Sequence, residues 1–424
     1  MRGRQLDKPT GSTGYAPLRL LFAAAALLLG ASPAALAAQP GVGERIEIRV
    51  EDLPAPYATS SVANGSRLIE RTMSTTLKLP PGFEANYFAY GFEHARWITV
   101  APNGDVFVAD AAPGRIIVLR DEDGDGRADI SRKFAANHNF PHGMVFHGGY
   151  LYVADLDNVW RYGYSDGQLH AAASPQAMLK KGSLGTDPGH STRTLAISPD
   201  GHRLYVAIGS EKNIAEEAPP RATVQEIDLL NGRQRTFASG LRNPVGIAFK
   251  PGGDDLYVVV NERDGLGDEL VPDYFTRIQD GDFFGWPYAY LGPNPQPDYG
   301  ERRPDLVAKT KLPDVLFRSH SAPLGLAFYD GEKSPAEYRG DAFVALHGSW
   351  NAATPRGYMI ARVPFENGRP AGYYEVFATG FWQRGEKIAQ VWGRPAGLAV
   401  AGDGSLLIAD DIGGVIWRVS YLKP

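Results

Sequence analysis

Trp97-Ile98-Thr99-Val100, then Pro102-Asn103-Gly104-Asp105, then Val106-Phe107-Val108: two apolar runs joined by a tight polar turn decide the fold. The turn supplies the positive-φ positions that a hairpin requires. The same unit recurs five more times, as 144–146 with 150–153, 194–197 with 204–206, 245–249 with 256–258, 324–328 with 342–344, and 398–400 with 406–408. Third strands are legible at 115–119, 159–162 and 415–419, and a Phe-Ala-x-Gly/Asn element repeats at Phe88, Phe134, Phe237 and Phe377. Hairpins repeating at about fifty residues predict an all-β fold, a six-bladed β-propeller of four-stranded antiparallel blades over residues 81–424. A strand around Phe88 precedes the first hairpin and is expected to join the C-terminal blade and close the ring.

Outward from this core, residues 1–37 read as a signal peptide. Arg2, Arg4, Lys8 and Arg19 precede an apolar stretch from Leu20 to Leu29, and Ala35-Leu36-Ala37 offers a small-x-small cleavage site. The apolar stretch is shorter than the ~20 residues a membrane span needs, so cleavage and a periplasmic or secreted product are expected, with no stable membrane span. Removing the segment's four basic residues and Asp7 moves the formal charge from -5 to -8. A mildly acidic body argues against nucleic acid as a partner. Residues 38–80 form an N-terminal extension with Pro and Gly, and 173–192 and 264–315 are further long irregular stretches that read as lids or binding walls. The chain has no cysteine, which excludes disulfides, cysteine nucleophiles, cysteine-held zinc and covalent haem.

In a propeller, the loops entering each innermost strand open at one end of the channel. Across the repeats these loops carry Arg96, His142, His190 with Arg193, Arg242 with Asn243, His320, and Arg394. Cationic or imidazole groups at six equivalent places in an acidic protein predict a site for a compact polyanion, held by bidentate arginines. The loops after the second strands carry Asp110, Asp155, Ser210–Asn213, Asn261–Asp264, His347–Asn351 and Asp410-Asp411, whose oxygens suit a hard cation such as Ca²⁺ or simply end strands and make turns. A separate run, Asp121-Glu122-Asp123-Gly124-Asp125-Gly126, alternates carboxylates before glycine, as a Ca²⁺-wrapping loop does, with Asp129 as a further donor. It lacks the position-12 Glu of an EF-hand.

Three segments together resemble the soluble glucose/sorbosone dehydrogenase family, most closely its sorbosone dehydrogenase-like branch: Gly189-His190-Ser191-Thr192-Arg193-Thr194-Leu195 running to Pro199-Asp200-Gly201, Gly240-Leu241-Arg242-Asn243-Pro244-Val245-Gly246, and Phe284-Gly285-Trp286-Pro287. The resemblance runs with gaps over residues 80–420. It implies a dehydrogenase that oxidises an aldose or related aldehyde by hydride transfer to pyrroloquinoline quinone, with an electron acceptor such as a cytochrome or quinone. It also implies His190 as general base, Arg242 and Asn243 beside the reactive carbonyl, and Arg394 among the cofactor's arginines. Arg96, His142, Arg193 and Trp350 complete the expected cofactor set. Glu262, Arg263 and Asp264 match the place where the family holds a Ca²⁺ that touches the quinone, there through main-chain oxygens. Gly189 and Ala396 depart from the family, which carries there an acidic residue and, in glucose-type enzymes, a second arginine.

Two rival functions fit the same fold. A calcium-dependent hydrolase or lactonase requires Glu262, Asp264, Asp110 and Asp410 to converge on one metal. A non-catalytic propeller would bind glycans or protein through Trp286, Tyr288 and Trp350.

Overall fold

The computed structural model describes residues 39–72, 75–185 and 189–422, so the expected signal peptide lies outside the described residues. Each of the six predicted hairpins forms the two inner strands of an antiparallel sheet. The first sheet runs Ala95–Val100, Val106–Asp110, Arg115–Arg120, Ile130–Ala135; the second Met144–His147, Tyr150–Ala154, Val159–Gly163, Gln176–Ala177. The third runs Arg193–Ile197, Arg203–Ile208, Thr223–Asp228, Gln234–Ser239; the fourth Asn243–Phe249, Leu256–Asn261, Tyr274–Ile278, Val315–Leu316. The fifth runs Pro323–Phe328, Ala342–Leu346, Met359–Val363, Tyr374–Ala378, and takes Arg45–Ile46 as an extra outer strand. The sixth runs Pro395–Val400, Leu406–Asp410, Val415–Tyr421 and is completed by the N-terminal strand Phe83–Tyr90, paired antiparallel with Val415–Tyr421.

Alternation of side chains gives each sheet two apolar faces, and each pair of neighbouring sheets buries one cluster between them. Phe107, Phe134 and Val118 meet Met144, Val153 and Tyr162 between the first two sheets. Equivalent clusters fill the gaps between second and third, third and fourth, fourth and fifth, and fifth and sixth. Ile98, Val108 and Leu119 of the first sheet meet Leu407, Ala409 and Ile416 of the sixth, so the sheets come round on themselves. Val245, Leu324 and Ala396, all from innermost strands, form a small separate cluster near the axis.

Close to that axis the wedges leave no room for side chains. A Cβ on Gly143 would stand 2.4 Å from the Arg193 carbonyl, one on Gly246 2.5 Å from that of Leu324, one on Gly325 2.2 Å from that of Ala396, and one on Gly397 2.8 Å from Trp97 Cα. Each glycine sits at the start of an inner strand and faces the next sheet's backbone. The stretch 264–315, read as irregular from its Pro and Gly content, contains the third strand of the fourth sheet and runs into the fourth, Val315–Leu316. Short strands bounded by Pro272-Asp273 and Pro313-Asp314 show too few alternations to stand out from a loop.

Gly325→Ala forces the Ala396 carbonyl to shift. A loss of about 1–3 kcal/mol is expected in urea unfolding, whereas Gly402→Ala, in an open turn with nothing within 4 Å, should change stability by less than ~0.5 kcal/mol.

Candidate active site

The residue that opens each inner strand lies at the same end of the sheets, and the structure brings most of the predicted residues together there. They fall into two linked groups. In the first, His190 Nδ1 lies 2.7 Å from the Ser210 carbonyl. A carbonyl only accepts, so Nδ1 carries the proton and Nε2 holds the lone pair. Gly209 lets this happen, since a Cβ there would stand 2.6 Å from His190 Cβ and 2.3 Å from Asn243 Oδ1. Asn243 Oδ1 is buried and without a hydrogen-bond partner. Arg242 donates through Nη1 to the Glu262 carbonyl at 2.7 Å and through Nη2 to Asn213 Oδ1 at 3.1 Å, and pairs with Asp264 at 3.6 Å. Asp264 also receives the Asn351 amide and lies 3.6 Å from His320 Nδ1.

The second group centres on Asp411, whose carboxylate is almost fully buried. It accepts from Arg96 Nη1 at 2.6 Å and His347 Nε2 at 2.9 Å, with His94 Nε2 at 3.5 Å. Arg394 donates to the carbonyls of His347 and Gly348. Arg193 belongs to the first group, donating through Nη1 to the His190 and Thr192 carbonyls, each at 2.8 Å. The 347–351 loop links the two groups, since it carries His347 at one end and Asn351 at the other. His142 is a buried ring packed 5.0 Å from Trp97, and Trp350 stands 53 % exposed at the rim.

Electrostatics confirm a positive centre. Burial and then Arg242 push His190 down to about 4. Burial and then Arg394 do the same to His347, and burial with Arg96 and Arg193 holds His142 well below its ordinary value. These three histidines are neutral at physiological pH, whereas at His320 the contact with Asp264 and the nearby Asp273 carboxylate outweigh burial and raise its pKa. Burial raises Asp411, but His347, His94 and Arg96 outweigh it and keep the group ionised. Four arginines from the first, third, fourth and sixth sheets, with two carboxylates among them, suit a compact polyanion.

The Asp residues at strand ends serve the fold. Asp110 accepts the N–H groups of Glu93 and His94, Asp155 those of Asn139, Asp157 and Asn158, and Asp410 those of Arg394 and Gly413. Each carboxylate fastens the loop that enters its own sheet. Glu262 turns into the interior, with Oε2 on the Arg263 N–H, and Arg263 reaches Gln296 Oε1 at 3.1 Å. Of this segment only main-chain oxygens and Asp264 face Arg242. The convergence of Glu262, Asp264, Asp110 and Asp410 required for a calcium hydrolase is not formed: among the described residues, the carboxylates and imidazoles close enough to share a metal are Asp121, Asp123 and Asp129. That trio lies at the opposite end of the first sheet from Arg96. Asp125 instead accepts the Arg127 N–H at 2.8 Å.

His94, His347 and Asp411 were not singled out by sequence as a unit. They belong to three different loops, and His94 lies two residues before the arginine that the repeat alignment selects.

The six antiparallel sheets and this arginine-rich centre define an all-β scaffold with a site suited to an anion, and comparison with known proteins gives the family. The chain belongs to the TrAA12-like family, matched over residues 77–274 and 302–422, and residues 222–349 match the glucose/sorbosone dehydrogenase family. A Borreliella burgdorferi protein described as uncharacterized is 29% identical over 365 residues, covering 83% of this chain and 92% of that protein. The pyrroloquinoline quinone-dependent pyranose dehydrogenase of Coprinopsis cinerea is 25% identical over 414 residues, covering 81% of this chain and 54% of that protein. The chain thus spans about half the length of this curated relative. The structure of that enzyme's PQQ domain in its holo form superimposes with a TM-score of 0.70 at 20% identity, covering 82% of this chain and 98% of the domain. A calcium structure of a Trichoderma reesei protein of carbohydrate-active enzyme family AA12 superimposes with a TM-score of 0.67 at 20% identity, over 83% of this chain and 98% of that one.

Burial raises Asp410 to about 7 in the folded chain, against about 4 unfolded. The folded state therefore binds the extra proton, and stability falls as pH rises from ~4 to ~7. Both N–H groups on Asp410 reach Oδ1, so Asp410→Asn keeps them. Urea melts should show the variant gaining on the parent by about 2 kcal/mol between pH 5 and pH 8. A constant difference across that range would remove the assignment.

Proposed function

We propose that the six sheets are the blades of a six-bladed β-propeller, and that its arginine-lined end is the active site of a sugar dehydrogenase using pyrroloquinoline quinone with Ca²⁺. The observation that carries this reading is the pairing of a neutral histidine, His190, with Arg242 and Asn243 inside a ring of arginines. The quinone, when bound, supplies the hydride acceptor that no side chain here can be. Arg96, Arg193 and Arg394 would hold its carboxylates, with Trp350 at the rim. Main-chain oxygens of Asn261–Asp264 would hold the ion.

His190 acts as the base. Its Nδ1–H is fixed on the Ser210 carbonyl, so Nε2 is presented with its lone pair free to take a proton from a sugar hydroxyl. Arg242 is held rigid by the Asn213 and Glu262 carbonyls and by Asp264, so its charge is preorganised for a developing oxyanion. An exported, periplasmic enzyme passing electrons to a cytochrome or quinone completes the reading.

Titration of the purified chain with pyrroloquinoline quinone and Ca²⁺ should give tight binding, and an aldose panel should then reduce an electron-accepting dye. His190→Gln should lower kcat by about 10²–10⁴-fold and change quinone affinity less than threefold. Absence of quinone binding by the parent chain would overturn the reading.

The Asp121–Asp129 turn is proposed as a second, structural Ca²⁺ site, remote from the chemistry. Calorimetric titration should lose one binding event in Asp123→Ala, with quinone binding retained; an unchanged titration would remove this site.

A further inference from the structure

We infer that the N-terminal extension is a positioning strap for the active site, and that Asn64 is the residue through which it sets the place of Asn351. The extension packs as no sheet of its own. It runs over the arginine-lined end and is tied to three loops in turn. Tyr57 N–H donates to the Leu266 carbonyl at 2.7 Å, Thr59 Oγ1 accepts the Asp268 N–H at 2.8 Å, and Ser61 Oγ accepts the Gly267 N–H at 3.1 Å. Asn64 then donates twice, from its backbone N–H to the Trp350 carbonyl at 2.7 Å and from Nδ2 to the Ala352 carbonyl at 2.9 Å. Beyond it, Arg67–Leu68 pairs in parallel with Gln390–Val391, three residues before Arg394.

The two Asn64 bonds fall on either side of Asn351. That residue's amide meets Asp264 and lies 3.1 Å from His320 Nδ1, and Asp264 is the carboxylate paired with Arg242. Thr59 and Ser61 hold the segment just after Asp264 at the same time. The strap therefore clamps both halves of the Asn351–Asp264 contact from outside, while neither strap residue enters the site. Gly267 marks how closely it lies: a Cβ there would stand 2.8 Å from Thr59 Oγ1.

The same loops are latched independently underneath. Asp268 Oδ1 accepts the Ala353 N–H at 2.6 Å, and Arg356 donates to the Asp268 carbonyl at 2.7 Å and pairs with its carboxylate. That latch keeps the loops folded when a strap bond is lost. What the strap adds is the setting of Asn351, and through Asp264 that of Arg242.

The test is hydrogen–deuterium exchange on the cofactor-free chain, which reads the strap whether or not the quinone reading holds. Asn64→Ala removes one bond and Asn64→Pro removes both. Peptides covering 347–353 should exchange about 2- to 10-fold faster in the first variant and faster still in the second, with the melting midpoint of the first within about 2 °C of the parent. On the quinone-loaded chain, Asn64→Ala should lower kcat several-fold when counted per quinone-loaded site and leave the KM for sugar within twofold; counting loaded sites removes any loss of folded enzyme from the comparison. Unchanged exchange in 347–353 would overturn the strap. Faster exchange with kcat unchanged would overturn its positioning role. Should Asn64→Ala fail to fold, Thr59→Val, which removes only the acceptor for Asp268 N–H, must quicken exchange in 264–268 for the inference to stand.

Discussion

Everything at the functional end depends on how closely the innermost strands approach one another. Gly143, Gly246, Gly325 and Gly397 each press against the backbone of the next sheet, where a Cβ would lie 2.2–2.8 Å from an atom already there. Sheets that converge this tightly splay apart outward, and the widening gaps are filled by progressively larger side chains. Val245, Leu324 and Ala396 sit at the apex, and the ring pairs Phe107–Phe134 and Tyr257–Phe275 lie farther out. Arg242, Arg394 and His142 lie just ahead of those glycines in sequence. Their convergence is therefore a geometric result of the same packing that holds the sheets.

Bringing four arginines to one place requires compensation, and the protein supplies less than full neutralisation. Asp264 and Asp411 each serve more than one partner, and His142, His190 and His347 give up their charge under burial and the nearby guanidinium groups. The carboxylates at strand ends do not contribute to this balance. Asp110, Asp155 and Asp410 are consumed by backbone N–H groups, which is how loops of differing sequence are held at a common height. The balance leaves a residual positive potential at this end of the sheets.

The hairpins were legible because a strand, a Gly-containing turn and a second strand leave a local pattern, within fifteen residues in every case but 324–344. Arg96, His190, Arg242 and Arg394 followed from aligning those hairpins. The strand-end aspartates were visible too, yet sequence could not separate an oxygen facing a metal from one facing N–H groups, because both uses favour Asp before a turn. Asp411 with His94 and His347, and Asn351 with Asp264, were hidden for a different reason. Each is a contact between loops of different sheets, and no local spacing encodes it. The extension could be read only as irregular, since its structure is borrowed bond by bond from the loops it crosses.

The sixth sheet joins Phe83–Tyr90 to Val415–Tyr421, so its completion waits for segments from opposite ends of the described chain to meet. Loop-closure entropy makes such a contact late and slow relative to the local hairpins. Until it forms, the last three strands expose an unpaired edge, which invites pairing with another chain. For a protein emerging vectorially, Phe83–Tyr90 is made before any of the six hairpins and is the last to find its partner. Concentration during refolding then bears on the yield, since that edge is open until the two segments meet.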